Sequence, residues 1–224
     1  AMCGRYSLTS DLDTLQLRFG FRAGDLTYEP RYNVAPTQEV LTVTGDGSEN
    51  QNHARFMRWG LIPFWAKDAS IGGRMINARA ETVVEKPGYR EAFQERRCLI
   101  LADGFYEWRR EGKLRTPMRI VLKNGDPFGF AGIWETWKNP EGELVRSCAI
   151  ITTVPNALME PIHNRMPVML ARDTEELWLD TGNKDTAELR ELLIPYDPSD
   201  MEAYPVSDLV NKYQNDVPEV MVRV

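Results

Sequence analysis

The stretch from Arg97 to Thr153 constrains the fold more than any other part of the chain. RCLILA (97–102), FYEWRR (105–110), PMRIVL (117–122), FGFAGIW (128–134) and SCAIITT (147–153) are short runs rich in β-branched and aromatic residues. That composition suits strands. EGK, NGDP and NPEG separate several of these runs, and each has the Gly, Asn and Pro chemistry of a hairpin turn. Upstream, QEVLTVT (38–44) and HARFMRWG (53–60) read as a further strand pair joined by the turn-rich GDGSENQN. The segment EPRYNVAPTQ reads as extended chain bounded by prolines.

Helical patterning is confined to the ends. Ser10 is placed to cap a helix over 11–19, with Leu12, Leu15 and Phe19 on one face. Late in the chain Asp173 opens a short helix through Leu179, and Asp185 with Glu188 forms a capping-box-like start to TAELRELL. No repeat or linker divides the 224 residues. The expected fold is therefore α+β, a single domain whose mainly antiparallel sheet is curved or barrel-like, with peripheral helices.

Composition narrows the function classes. No segment reaches the roughly 18 apolar residues that span a bilayer, and no basic-then-apolar leader precedes the first strand, so a cytoplasmic protein without a membrane partner is expected. The net charge of −6 looks unsuited to nucleic acid, but it is unevenly spread. Residues 1–120 hold 18 Lys and Arg against 15 Asp and Glu, whereas 121–224 hold 9 against 18. A local basic face, not the total, governs phosphate contact.

Three cysteines and two histidines make a sparse set of reactive groups. Cys98 and Cys148 lie in apolar strand-like runs and read as small core residues, which leaves Cys3 for chemistry. The chain opens AMCGRY; Ala1 is read as a tag residue and Met2 as the initiator, so that residues 3–224 form the domain and Cys3 becomes the first residue on Met removal. His53 follows a polar loop and suggests no role. His163, in EPIHNRMP, shares a proline-bounded loop with Arg165, which suits an acid–base beside an anion ligand but equally a structural histidine. No metal-ligand spacing is present.

Other polar residues leave two readings open. In DGFYEW, alternation puts Phe105 and Glu107 on one face; if that face is a pocket, burial would raise the Glu107 pKa and suit it to proton transfer. If it faces solvent, Glu107 is ordinary. In INARAE, Asn77, Arg79 and Glu81 share a face when extended, again a site or a solvent face. RWGLIPFWAKD is dense in aromatics, Trp59, Phe64 and Trp65, which either stack on bases or fill the core.

Taken in order, MCGRY, RYNVAP, WGLIP, INARAE, ADGFYEW and IHNRMP resemble the SRAP family ("SOS response-associated peptidase"). It includes the HMCES-type proteins that crosslink to abasic sites in single-stranded DNA. The resemblance runs from Cys3 to at least Pro167, and PVSDLVN near 205–211 is similar to the family's late segment. It implies that Cys3, exposed by Met removal, attacks an abasic site, with Asn77, Glu107 and His163 as the other active-site residues. It also implies DNA-backbone roles for Arg5, Asn33, Arg79 and Arg165, and a strand-splitting role for the aromatics around Trp65. The implied partner is single-stranded DNA, or a single-strand/duplex junction, carrying an abasic site, with no cofactor and no obligate protein partner.

The chemistry is consistent. A ring-opened abasic deoxyribose carries an aldehyde, and only a neutral amine attacks it. An α-amine with a pKa near 7.7–8 is about a quarter neutral near pH 7.4, against about one part in a thousand for lysine. The thiol of the same residue then closes a thiazolidine intramolecularly. The resemblance further implies lyase activity and self-removal of the leading residues. Two other readings fit the same residues: a cysteine peptidase using Cys3 with His163 as base, and a non-covalent single-strand binder.

Overall fold

In a computed structural model, which describes residues 3–46 and 51–224, the strand-rich middle forms two sheets. The elements in chain order are β1 (Tyr6–Leu8), α1 (Leu12–Phe19), β2 (Arg31–Val34), β3 (Glu39–Thr44), β4 (His53–Trp59), β5 (Asn77–Arg79), α2 (Arg90–Glu95) and β6 (Arg97–Ala102). They continue with β7 (Gly104–Glu111), β8 (Leu114–Leu122), β9 (Phe128–Lys138), β10 (Leu144–Thr153), β11 (Met166–Pro167), α3 (Glu175–Leu179), α4 (Thr186–Glu191) and β12 (Met201–Pro205).

One sheet has the order β12-β8-β7-β1-β2. In the other, β4, β3, β6, β9 and β10 pair in a ring, because β10 bonds both β9 and β4. The ring is a five-stranded barrel, and closure removes the exposed edges that an open sheet must protect. Its contacts are antiparallel except β10 with β4, and β5 also joins β10 in parallel. This is the barrel-like, mainly antiparallel single domain expected from sequence.

Alternation along the barrel strands divides their side chains between two apolar clusters. Leu41, Val43, Leu99, Leu101, Ala131 and Ile133 pack with Leu15 and Phe19 of α1, Phe93 of α2, Trp178 of α3 and Leu189 of α4. Met57, Trp59, Cys98, Ile100, Phe130 and Cys148 instead pack with Cys3, Tyr6, Phe105 and Ile120 of the first sheet. Tyr6 joins the layers directly, its ring 5.3 Å from Trp59 and 5.6 Å from Phe130; each such pair stabilises by about 0.5–1.5 kcal/mol beyond area burial. The barrel wall tolerates no extra bulk at Gly132, where a Cβ would sit 2.7 Å from the Cys98 sulfur.

Several local expectations change. The first helix is capped by Asp11, whose carboxylate accepts from the Thr14 N–H; Ser10 is spent on Asp103 instead. The late helix opens at Glu175 after a tight turn over Arg172–Thr174, not at Asp173. Asp185 does cap α4, but the Glu188 carboxylate turns to Asn183, so the box is half formed. NGDP is not a hairpin turn: it carries the chain from β8 in one sheet to β9 in the other. The turn between β3 and β4 falls partly on 47–50, outside the described residues, as do Ala1 and Met2. Among the described residues, no helix is long and apolar enough to cross a membrane.

Candidate active site around Cys3

The pairing of β1 with β7 sets the site. Tyr6 lies opposite Phe105, and the ladder continues one step further, where Tyr106 N–H donates to the Arg5 carbonyl. Running antiparallel, the chain before Tyr6 is carried toward Glu107. The Cys3 backbone nitrogen donates to Glu107 Oε1 at 2.7 Å, and both residues are buried. Of the two readings of DGFYEW, the buried one holds: Phe105 and Glu107 face inward, while Tyr106 and Trp108 turn to a smaller cluster beneath β12 and the C-terminal turns.

Burial dominates the electrostatics. It pushes the Glu107 carboxyl up to about 7, against a smaller downward pull from the Cys3 N–H, so near neutral pH the group is poised to give or take a proton. Burial, and then the Glu107 charge, push the Cys3 thiol well above its ordinary value. The sulfur is therefore held as a thiol.

His163 and Asn77 reach the same region from the barrel. β10 is flanked at its C-terminal end by β5, with Ile150 opposite Asn77, and by β11, with Thr153 opposite Met166. Successive turns between Asn156 and His163 fold the intervening loop back on itself, and they bury Met159, Ile162 and Met166 in the cluster that contains Cys3. Ile76, beside Asn77, packs there too. Glu107 thus bonds Cys3 directly, whereas Asn77 and His163 are tied to it by chain neighbours that belong to the same apolar cluster. The Arg165 N–H donates to His163 Nδ1 at 3.1 Å. With Nδ1 accepting, the neutral ring carries its proton on Nε2. Half-burial lowers the His163 pKa, which favours that neutral form. The Asn77 side-chain nitrogen is buried with no acceptor among the described residues.

The residues assigned to DNA divide in two. Arg79 is exposed, and so are Phe64 and Trp65, at 59% and 53%. Trp59 fills the core, its indole N–H on the Ile76 carbonyl. The aromatic run therefore separates at Gly60, whose φ of +129° and contact with the Gly72 carbonyl leave no room for a side chain. Asn33 is fully buried, and its amide donates to the carbonyls of Val210, Lys212 and Asn215 while accepting from Arg5. Arg5 also donates to the Val210 and Asn211 carbonyls. Both brace the C-terminal segment, so the structure does not present the Asn33 side chain to a phosphate. Arg165 is 5% exposed and gripped by Glu81. The bracing is invisible in sequence because its partners are backbone carbonyls 177 to 206 residues away.

Comparison with known proteins gives a consistent result. The family model described as SOS response associated peptidase (SRAP) matches residues 2–213. The chain is similar to the abasic site processing protein YoqW of Bacillus subtilis, 51% identical over 98% of this chain and 99% of that one. It is also similar to the abasic site processing protein HMCES of Xenopus tropicalis, 29% identical over 100% of this chain and 78% of that one. An X-ray structure of a protein from Bacteroides thetaiotaomicron superposes with a TM-score of 0.88 at 31% identity, covering 99% of this chain and 100% of that chain.

Proposed function

The chain belongs to the SRAP family, and from that premise we propose that it processes abasic sites in single-stranded DNA by covalent capture on Cys3. The observation that carries the proposal is the 2.7 Å contact between the Cys3 nitrogen and the buried Glu107 carboxyl, poised at about 7. With Cys3 as first residue, that nitrogen is the α-amine. Cys3 holds φ at +22°, a conformation that costs on the order of 1–3 kcal/mol in an L residue. The torsion exists only while a residue precedes Cys3, so removal of Ala1 and Met2 relieves it.

The steps balance as follows. His163 relays one proton: its Nε2–H donates to the sugar ring oxygen, Nε2 takes the proton of the C1′ hydroxyl in return, and the ring opens to the aldehyde with the imidazole unchanged. Glu107 takes a proton from the α-amine, which attacks C1′ to give a carbinolamine. The same carboxyl returns the proton to the C1′ hydroxyl, which leaves as water, and an imine remains. The Cys3 thiol adds across the C=N bond, forming the S–C1′ bond and leaving its proton on nitrogen. The thiazolidine has lost one water overall. The spare Asn77 donor would hold the adduct, and Arg79 with the Phe64–Trp65 loop would hold the strand. Because the thiol must stay reduced, a cytoplasmic setting belongs to the proposal.

The raised thiol pKa weighs against the peptidase reading, which needs a thiolate paired with His163. No hydrogen bond joins Cys3 to His163 among the described residues, and Nδ1 is engaged by Arg165. The discriminating experiment mixes abasic single-stranded DNA with protein beginning at Cys3 and with the same chain retaining Ala1 and Met2, then runs denaturing gels. A heat-stable adduct with the first alone is expected; equal adduct from both would refute the α-amine as nucleophile.

A further inference from the structure

We propose that Glu81 is a positioning residue for His163, acting through Arg165; this rests on the reading of His163 as the proton donor in ring opening. Glu81 accepts from both terminal nitrogens of Arg165, each at 2.8 Å, a bidentate fork that fixes orientation as well as distance. The same guanidinium donates to the Thr152 carbonyl at 2.9 Å. Glu81 is tied to the same point, since the neighbouring Ala80 N–H donates to that carbonyl at 2.8 Å. The carboxylate, the arginine and the end of β10 therefore form one rigid unit.

What this unit holds is a backbone direction. The N–H that occupies His163 Nδ1 belongs to Arg165 itself, so the clamp that fixes the Arg165 side chain also anchors the loop carrying that N–H. While it is in place the imidazole keeps its proton on Nε2. Within the five residues between Pro161 and Pro167, the other hydrogen bond of His163 among the described residues is made by its backbone N–H, which donates to the Met159 carbonyl. The Arg165 hydrogen bond holds the Glu81 carboxyl below its ordinary value, which keeps the clamp charged at neutral pH. Arg79 pairs with the same carboxylate more loosely, at 3.7 Å, and its side chain stays exposed to solvent outside the fork.

The test reads the tautomer directly. The chain has two histidines, so His53→Gln leaves a single imidazole for long-range proton–nitrogen NMR. In that background at neutral pH, His163 should show a pyrrole-type Nε2 and a pyridine-type Nδ1. Glu81→Gln removes the charge and Arg165→Lys removes the planar fork; both keep the shape of the site. Each is expected to give averaged nitrogen shifts from mixed tautomers, with abasic-site crosslinking slowed about tenfold, the scale of a small misplacement of a reacting group. Wild-type nitrogen shifts in both variants would overturn the proposal, even if crosslinking fell. Mixed tautomers in the variants, with no crosslinking by the parent protein, would leave the positioning role standing and remove the proposed reaction.

Discussion

Replacing Glu107 by Gln should make the protein more stable above neutral pH while removing its chemistry. The carboxyl rises from its ordinary value of 4.5 to about 7 on folding, chiefly through burial. A carboxyl raised in the folded state binds its proton more tightly there than in the unfolded chain. Stability is therefore undiminished below about pH 4.5 and falls as pH rises through 7. At about 1.4 kcal/mol per unit, the full penalty is about 3 kcal/mol by pH 8.5, shrinking to under about 1 kcal/mol near pH 5. Glutamine keeps an oxygen to accept from the Cys3 nitrogen but carries no charge, so it escapes the penalty. Urea unfolding of both proteins at several pH values gives the difference directly, because every other titrating group cancels. The expected result is a stability gain for Glu107→Gln that grows to about 3 kcal/mol at pH 8.5. A pH-independent difference, or a variant less stable at pH 8.5, would show that Glu107 is not the desolvated carboxyl described.

Other substitutions test the rest of the account. Trp65→Ala should leave stability within about 0.5 kcal/mol but weaken single-strand binding by about 1–3 kcal/mol, measured by fluorescence anisotropy. Trp59→Ala should cost about 3–5 kcal/mol in a denaturant melt, since its ring lies wholly in the core. Arg79→Ala should reduce the slope of log affinity against log salt by about 0.7, the loss of one phosphate contact on a single strand. Asn33→Ala should destabilise by about 2 kcal/mol and leave the single-strand affinity of the folded protein unchanged; a weaker affinity at full folding would restore Asn33 as a phosphate ligand.

The parts of the fold legible in sequence were those with local signatures. β3, β4 and β6 to β10 carry continuous apolar or alternating patterns between turn residues, and their positions follow. β1, β5, β11 and β12 do not: they are two to five residues long and exist because neighbouring strands offer unpaired backbone groups. The helix α2 was likewise missed, since Arg90–Glu95 is short and has no side-chain cap. At the site, alternation identified Glu107 as a residue that burial would perturb, but it could not choose the buried face. That choice comes from the pairing of β1 with β7, a contact between residues some hundred positions apart. Sequence likewise could not separate Trp59 from Trp65, because the turn at Gly60 that sends one inward and the other out depends on a close approach to Gly72.

The central claim is tested most directly by the intact mass of the product formed between protein beginning at Cys3 and a single-stranded oligonucleotide with one abasic site. The account predicts a heat-stable species whose mass is the sum of the two partners less one water, absent when Cys3→Ala is used. No such species, or an equally heat-stable one formed by Cys3→Ala, would contradict it.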